Sequence, residues 1–175
     1  MSKILVIVYS YTGTCLQLTQ LMCDQQGWPM AEITDALPRR GVRGIWRCLL
    51  DSWLGRRPPI NYRGLPPTGF DVVVLVAPVW AYRLAGPMRT FVAAWRESLP
   101  DVAFATAASG RGMRNAIAEI SRLIGREPIL TTPFTAREFQ DGSYVARLQV
   151  FGDGVRAAKA AEAVTRPAIW SPQTA

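Results

Sequence analysis

Two short, nearly uninterrupted apolar runs limit what this chain can become. Residues 3–9 (KILVIVY) and 70–78 (FDVVVLVAP) are rich in β-branched side chains, and neither alternates apolar with polar. A half-buried antiparallel strand alternates, whereas a strand covered on both faces does not. The runs therefore predict central strands of a parallel sheet with helices on both sides. Neither approaches the ~20 apolar residues that a membrane span requires. The first run ends in a hydroxyl-rich turn and not in a small-residue cleavage site, so it reads as a strand and not as a signal peptide, with a cytoplasmic location expected.

The remaining segments alternate with these strands. Leu16, Leu18, Leu21 and Met22 predict a helix ending before Gly27, and 28–36 a second strand. Val42, Ile45, Trp46, Leu49, Leu50 and Trp53 form the clearest helical stripe. It reads as a crossover helix whose apolar face covers the sheet; an arginine face on a membrane surface is the lesser alternative. The prolines and glycines of 55–69 read as a loop. Helices follow at 88–99 and 113–126, with strands at 101–109 and 127–134. Tyr144, Leu148, Phe151 and Val155 are spaced for a last helix, with Asp141 as its N-cap, although 143–151 also alternates as a strand would. Strand–helix alternation of this kind predicts an α/β/α sandwich on a five-stranded parallel sheet. Residues 1–165 are expected to form one domain and 166–175 a C-terminal tail.

Composition removes several chemistries. The 175 residues include no histidine, so Ser-His-Asp triads, Cys-His dyads and HExxH zinc sites are out. Cys15, Cys23 and Cys48 form no CxxC pair, which argues against zinc and against a disulfide framework. The net charge is +7 and 18 of the 20 basic residues are Arg, but no basic block suggests a nucleic-acid tail. The bias fits either an Arg-rich proteome or an anionic partner.

In an open α/β sheet, ligands bind beyond the carboxyl ends of the strands. Three loops fall there: 10–15, 78–87 and 107–112. In the first, Ser10, Thr12 and Thr14 offer hydroxyls, Gly13 permits a tight turn, and a helix begins, which together suit a phosphate. There is no GxxxxGK[ST] and no GxGxxG, so the P-loop and the dinucleotide fingerprint are absent. The first strand ends without the acidic residues of a receiver domain. Cys15 lacks the nearby Arg of a small tyrosine phosphatase.

Ser10-Tyr11-Thr12-Gly13-Thr14-Cys15 resembles the phosphate loop of flavodoxins and related FMN proteins, usually S/T-x-T-G-N/T-T. Ala77-Pro78-Val79-Trp80 with Gly86-Pro87 is similar to their flavin-flanking loop, and Ala107–Gly112 lies where they contact the far side of the ring. The resemblance covers most of the chain, is of the short-chain form, and implies strand order 2-1-3-4-5 with non-covalent FMN. By it, Ser10, Tyr11, Thr12, Gly13, Thr14 and the Cys15 amide belong to the phosphate loop. Pro78, Val79, Trp80, Ala81 and Tyr82 form the ring loop, with Trp80 or Tyr82 on the ring face. Ser109, Gly110, Arg111 and Gly112 close the other edge. Cys15 departs from the usual hydroxyl, the third loop lacks an aromatic residue, and the chain is basic where flavodoxins are acidic. Arg83, Arg111 and Arg114 read either as solvated surface or as an electropositive rim favouring anionic acceptors.

The implied function is electron transfer between redox partners. One alternative is an NAD(P)H-dependent reductase of quinones or other small acceptors. Another is a non-redox ligand-binding domain with a degenerate flavin site.

Overall fold

The computed structural model describes residues 2–36, 41–107 and 111–165. The expected third-loop residues Ser109 and Gly110 and the tail 166–175 lie outside these, and for Arg111 only the backbone is described.

The two apolar runs form β1 (Ile4–Tyr9) and, later, β4 (Val72–Val76), and every residue of both is buried. They pair in parallel, Ile4 against Val72 through Val8 against Val76. After β1 come α1 (Thr14–Gln26), β2 (Met30–Asp35) and α2 (Gly41–Trp53). Gly27 ends α1 in the left-handed conformation that its lack of Cβ permits, and its N–H closes the last turn on the Cys23 carbonyl. β3 (Ile60–Arg63) precedes β4, and a tiny hairpin of β5 (Val79–Trp80) and β6 (Arg83–Leu84) leads into α3 (Gly86–Trp95). Then follow β7 (Asp101–Thr106), α4 (Arg111–Ile124), β8 (Leu130–Pro133), α5 (Ala136–Asp141) and α6 (Tyr144–Thr165).

The sheet order is β3-β2-β1-β4-β7-β8. This is the expected parallel order with one strand added, giving six strands and not five. The addition lies in 55–69, which the prolines marked as loop. Ile60 and Tyr62 are half-buried, with Asn61 and Arg63 exposed between them, and the segment pairs antiparallel to β2. Tyr62 packs its ring 4.9 Å from Phe91, and that contact holds the edge strand down.

Each face of the sheet carries its own core. On one side Leu5, Ile7, Val73, Leu75 and Phe104 meet Met88, Phe91 and Ile120 of α3 and α4. On the other, Val6, Val8, Val74 and Ala105 meet Leu18 and Met22 of α1 and Leu148, Phe151 and Val155 of α6. The 4, 3, 4 spacing of Tyr144 to Val155 is thus helical, as expected, and the competing strand does not form. Asp141 is not an N-cap of that helix in the expected sense: it ends α5, and its carboxylate accepts from the Ser143 N–H at 2.9 Å.

Three of the six α2 stripe residues face away from the core, contrary to expectation; Leu49 is half-buried, and the side chains of Val42 and Ile45 lie outside the described residues. Trp46, Leu50 and Trp53 are exposed, while Cys48, Asp51 and Ser52 are buried. Arg89, buried on α3, donates to the carbonyls of Asp51 near the end of α2 and of Arg56 beyond it, which ties that end of the helix to α3.

Candidate functional site

The carboxyl ends of β1, β4, β7 and β8 open on one cleft of about 420 Å³. That is within the range of small-molecule sites. Its walls include Ser10, Tyr11, Thr12, Thr14 and Cys15 from the first loop and Pro78, Val79 and Trp80 from the second.

The first loop is shaped for an anion. Gly13 sits at the head of α1 with φ 92, a left-handed conformation suited to glycine, and no side chain caps the helix. An uncapped helix start presents free amides and the positive end of the dipole. The Ser10 hydroxyl accepts from the Gly13 N–H at 3.1 Å, fixing the turn. The Thr12 and Thr14 hydroxyls converge to 3.3 Å. Two hydroxyls that close to each other can both donate to one oxyanion placed between them. Cys15 contributes backbone only: its side chain is buried, and that burial, opposed in part by a backbone hydrogen bond with Ala107, pushes its thiol up to about 12.

The second loop is a strained hairpin. Ala81 and Tyr82 have φ 48 and 60, both left-handed without being glycine. Such a backbone costs roughly 1–2 kcal/mol per residue, so something must hold it. The holding group is a buried ion pair. The Leu84 N–H donates to Glu119 Oε2 at 3.3 Å, and the Leu84 carbonyl accepts from Arg89 Nη2 at 2.9 Å. The Arg89 Nε meets Glu119 Oε1. Trp80, thus presented, lies edge-on between Tyr9 at 6.0 Å and Tyr11 at 5.8 Å.

Ala81 and Tyr82 are not part of the cleft wall. They form the hairpin tip, where Tyr82 stands in solvent. Of the expected ring-face aromatics, only Trp80 borders the cleft. Gly112 lies behind the hairpin. A Cβ there would come within 3.0 Å of Val79, so the glycine allows α4 to approach.

Ala107, the first residue of the third loop, borders the cleft, and Phe134, Ala136 and Phe139, which lie in none of the three expected loops, complete it. Phe134 and Phe139 supply aromatic surface that the third loop lacks. α5 is set by a capping box: Thr135 Oγ1 accepts from the Glu138 N–H at 3.4 Å, and Glu138 Oε2 accepts from the Thr135 N–H at 2.7 Å. Glu138 also meets Arg147, whose guanidinium lies 5.5 Å over the Phe134 ring. Burial works against the Glu138 charge, but the Thr135 and Arg147 hydrogen bonds outweigh it and hold the carboxyl below its usual range. The T-x-x-E pattern at 135–138 is the signal that would have found this wall. Among the described residues, no His/Cys/Asp/Glu cluster could hold a metal ion.

No family model matches the sequence, and no curated protein does. Solved structures do. A flavoprotein from Lactobacillus acidophilus, in complex with FMN, superposes with a TM-score of 0.67 at 17% identity, over 82% of this chain and 99% of that one. The Trp repressor binding protein from Bacillus subtilis gives 0.55 at 9% identity, over 85% and 98%. A short-chain flavodoxin associated with a bacterial microcompartment gives 0.55 at 12% identity, over 90% and 99%. The fold is flavodoxin-like.

Proposed function

We propose that the cleft binds FMN and that the protein transfers electrons between redox partners. The observation that carries this reading is convergence. One cleft brings together an uncapped helix start with two facing threonine hydroxyls, a tryptophan held by a braced hairpin, and an aromatic far wall. The donor set fits the group. A phosphate dianion suits neutral hydroxyls and amides at a helix N-terminus, and a flat heteroaromatic ring suits Trp80 and the apolar wall. The likeness to a flavoprotein solved with FMN supports the same choice.

When bound, the flavin supplies the redox chemistry, and the protein's share is to hold and shield it. In this reading Thr12, Thr14 and the first amides of α1 anchor the phosphate. Trp80 covers the ring and excludes water from one side. Phe134 and Phe139 add to the apolar wall of the cleft.

The deciding experiment is to denature the purified or FMN-reconstituted protein and identify the flavin released. FMN is expected; FAD as the main species, or no flavin bound, removes the reading. Steady-state oxidation of NAD(P)H with a quinone acceptor then distinguishes a carrier, which turns over negligibly, from a reductase.

A further inference from the structure

We propose that the outward face of α2, with the adjoining hairpin tip, is a docking surface for an anionic lipid bilayer. Trp46 is 63% exposed, Leu50 45%, Trp53 64% and Leu54 50%. They are spaced i, i+4, i+7 and i+8, so they form one stripe, and the Leu54 N–H continues the helical ladder to the Leu50 carbonyl at 2.8 Å. Helix α2 already buries its other face through Cys48, Asp51 and Ser52. The stripe is therefore surplus to the core, and a contiguous exposed apolar patch of this kind marks an interaction surface. Tyr82, 67% exposed, is a further exposed aromatic residue at the tip of the β5–β6 hairpin, against which α2 packs.

Charge selects the occupant. Arg56, Arg57 and Arg83 are exposed at the C-terminal end of the stripe. The Arg83 guanidinium comes within 3.9 Å of where a Gly55 Cβ would stand, so it belongs to the same rim. Asp51 is the single acidic residue in 41–66, and 78–96 has none. Asp51 is buried and lies 3.8 Å from Arg56, so it adds no outward negative charge. Packing two copies face to face on this stripe would oppose the arginine rims, which disfavours a self-complementary dimer. A ridge of Trp, Leu and Tyr flanked by Arg matches the headgroup boundary of an anionic membrane, where aromatic rings sit at the interface and guanidinium groups meet lipid phosphates. At 13 residues α2 is too short to span, so it would lie in the plane of the surface. Trp80 borders both the cleft and a small apolar pocket shared with Cys48 and Leu49 of α2. Docking along α2 would thus bring the cleft beside the bilayer. Electron delivery to a lipid-soluble acceptor rests on the FMN reading, whereas the docking itself does not.

The test is sedimentation of the full-length protein with vesicles of phosphatidylcholine alone and with about 30% phosphatidylglycerol. Tryptophan emission and flavin content are read in the same samples. Binding is expected to the anionic vesicles only, with a blue shift of the emission and loss at high salt. The double variant Trp46→Ser/Trp53→Ser should bind about tenfold or more weakly. Arg57→Gln and Arg83→Gln should each weaken binding about fivefold and flatten its salt dependence. These positions are exposed, and an unchanged thermal midpoint verifies that each variant is folded; for any that is not, the lipid and salt dependence of the unmodified protein decides. Several outcomes overturn the proposal: no binding to anionic vesicles, equal binding to both compositions, or binding indifferent to Trp46→Ser/Trp53→Ser. So does a dimer that the double variant converts to monomer, or capture of an acidic protein without vesicle binding. Vesicle binding without flavin leaves the docking standing and removes the FMN reading; flavin without vesicle binding does the reverse.

Discussion

A pair of threonines and a cysteine illustrate how differently neighbouring residues are used. Thr12 and Thr14 face each other across 3.3 Å and have hydroxyls to give to an anion. A hydrogen bond to a charged partner contributes roughly 1.5–3 kcal/mol, so Thr12→Ala is expected to weaken FMN binding about ten- to a hundredfold, as read by flavin fluorescence titration. An unchanged affinity would locate the phosphate elsewhere. Cys15, one position on, is turned into the core. Its thiol is raised from 9.0 in the unfolded chain to about 12. The folded protein therefore holds that proton over a window in which the unfolded chain releases it. The stability this confers is complete below about pH 9 and is lost as pH rises towards about 12. The slope reaches at most about 1.4 kcal/mol per pH unit. Urea midpoints at pH 8 and pH 10 should fall further for the wild-type protein than for Cys15→Ala, and native Cys15 should resist alkylation at pH 8. Equal falls in the two proteins would mean that the thiol is not protected. That this position departs from the usual hydroxyl was legible in the sequence; that its side chain is buried was not, because burial is decided by tertiary packing.

Among the elements, the β5–β6 hairpin depends on groups far from it in sequence. Arg89 on α3 and Glu119 on α4 hold both backbone groups of Leu84. Removing one partner of a buried pair leaves an uncompensated charge, at a cost of roughly 3–5 kcal/mol. Arg89→Met is expected to lower stability by about that amount in urea unfolding and to alter Trp80 emission; a loss under about 1 kcal/mol would mean that the hairpin holds itself. This clamp also limited what the sequence could tell. β1 and β4 announced themselves because an apolar run has one economical place in an α/β fold. The outward direction of Trp46, Leu50 and Trp53 on α2 was not legible because ties such as that of Arg89 to the Asp51 carbonyl are tertiary contacts with no local signature. β3 hid behind its prolines, although the alternation of Ile60 and Tyr62 with Asn61 and Arg63 was present. The far wall of the cleft stayed unseen because α5 spans only six residues, too few for a periodic stripe.

For the molecule as a whole, net charge and topology have separate consequences. With a net charge of +7, Arg83 exposed on the hairpin and Arg114 exposed on α4, the proposed electron transfer to an anionic acceptor should slow as salt is added and transfer to a cationic one should quicken. Stopped-flow rates against ionic strength test this, and slopes of the same sign for both acceptors would detach the charge from the redox path. The sheet order bears on something else, the making of the protein. β1 is the first strand of this sheet to leave the ribosome, yet it lies between β2 and β4, and Val76 follows Tyr9 by 67 residues. At about 5–20 residues per second this fully buried strand waits several seconds before its second neighbour exists. During that interval a nascent chain exposes a sticky β segment with an unpaired edge. Chaperone demand during synthesis should therefore be concentrated before residue 76 and fall sharply after it.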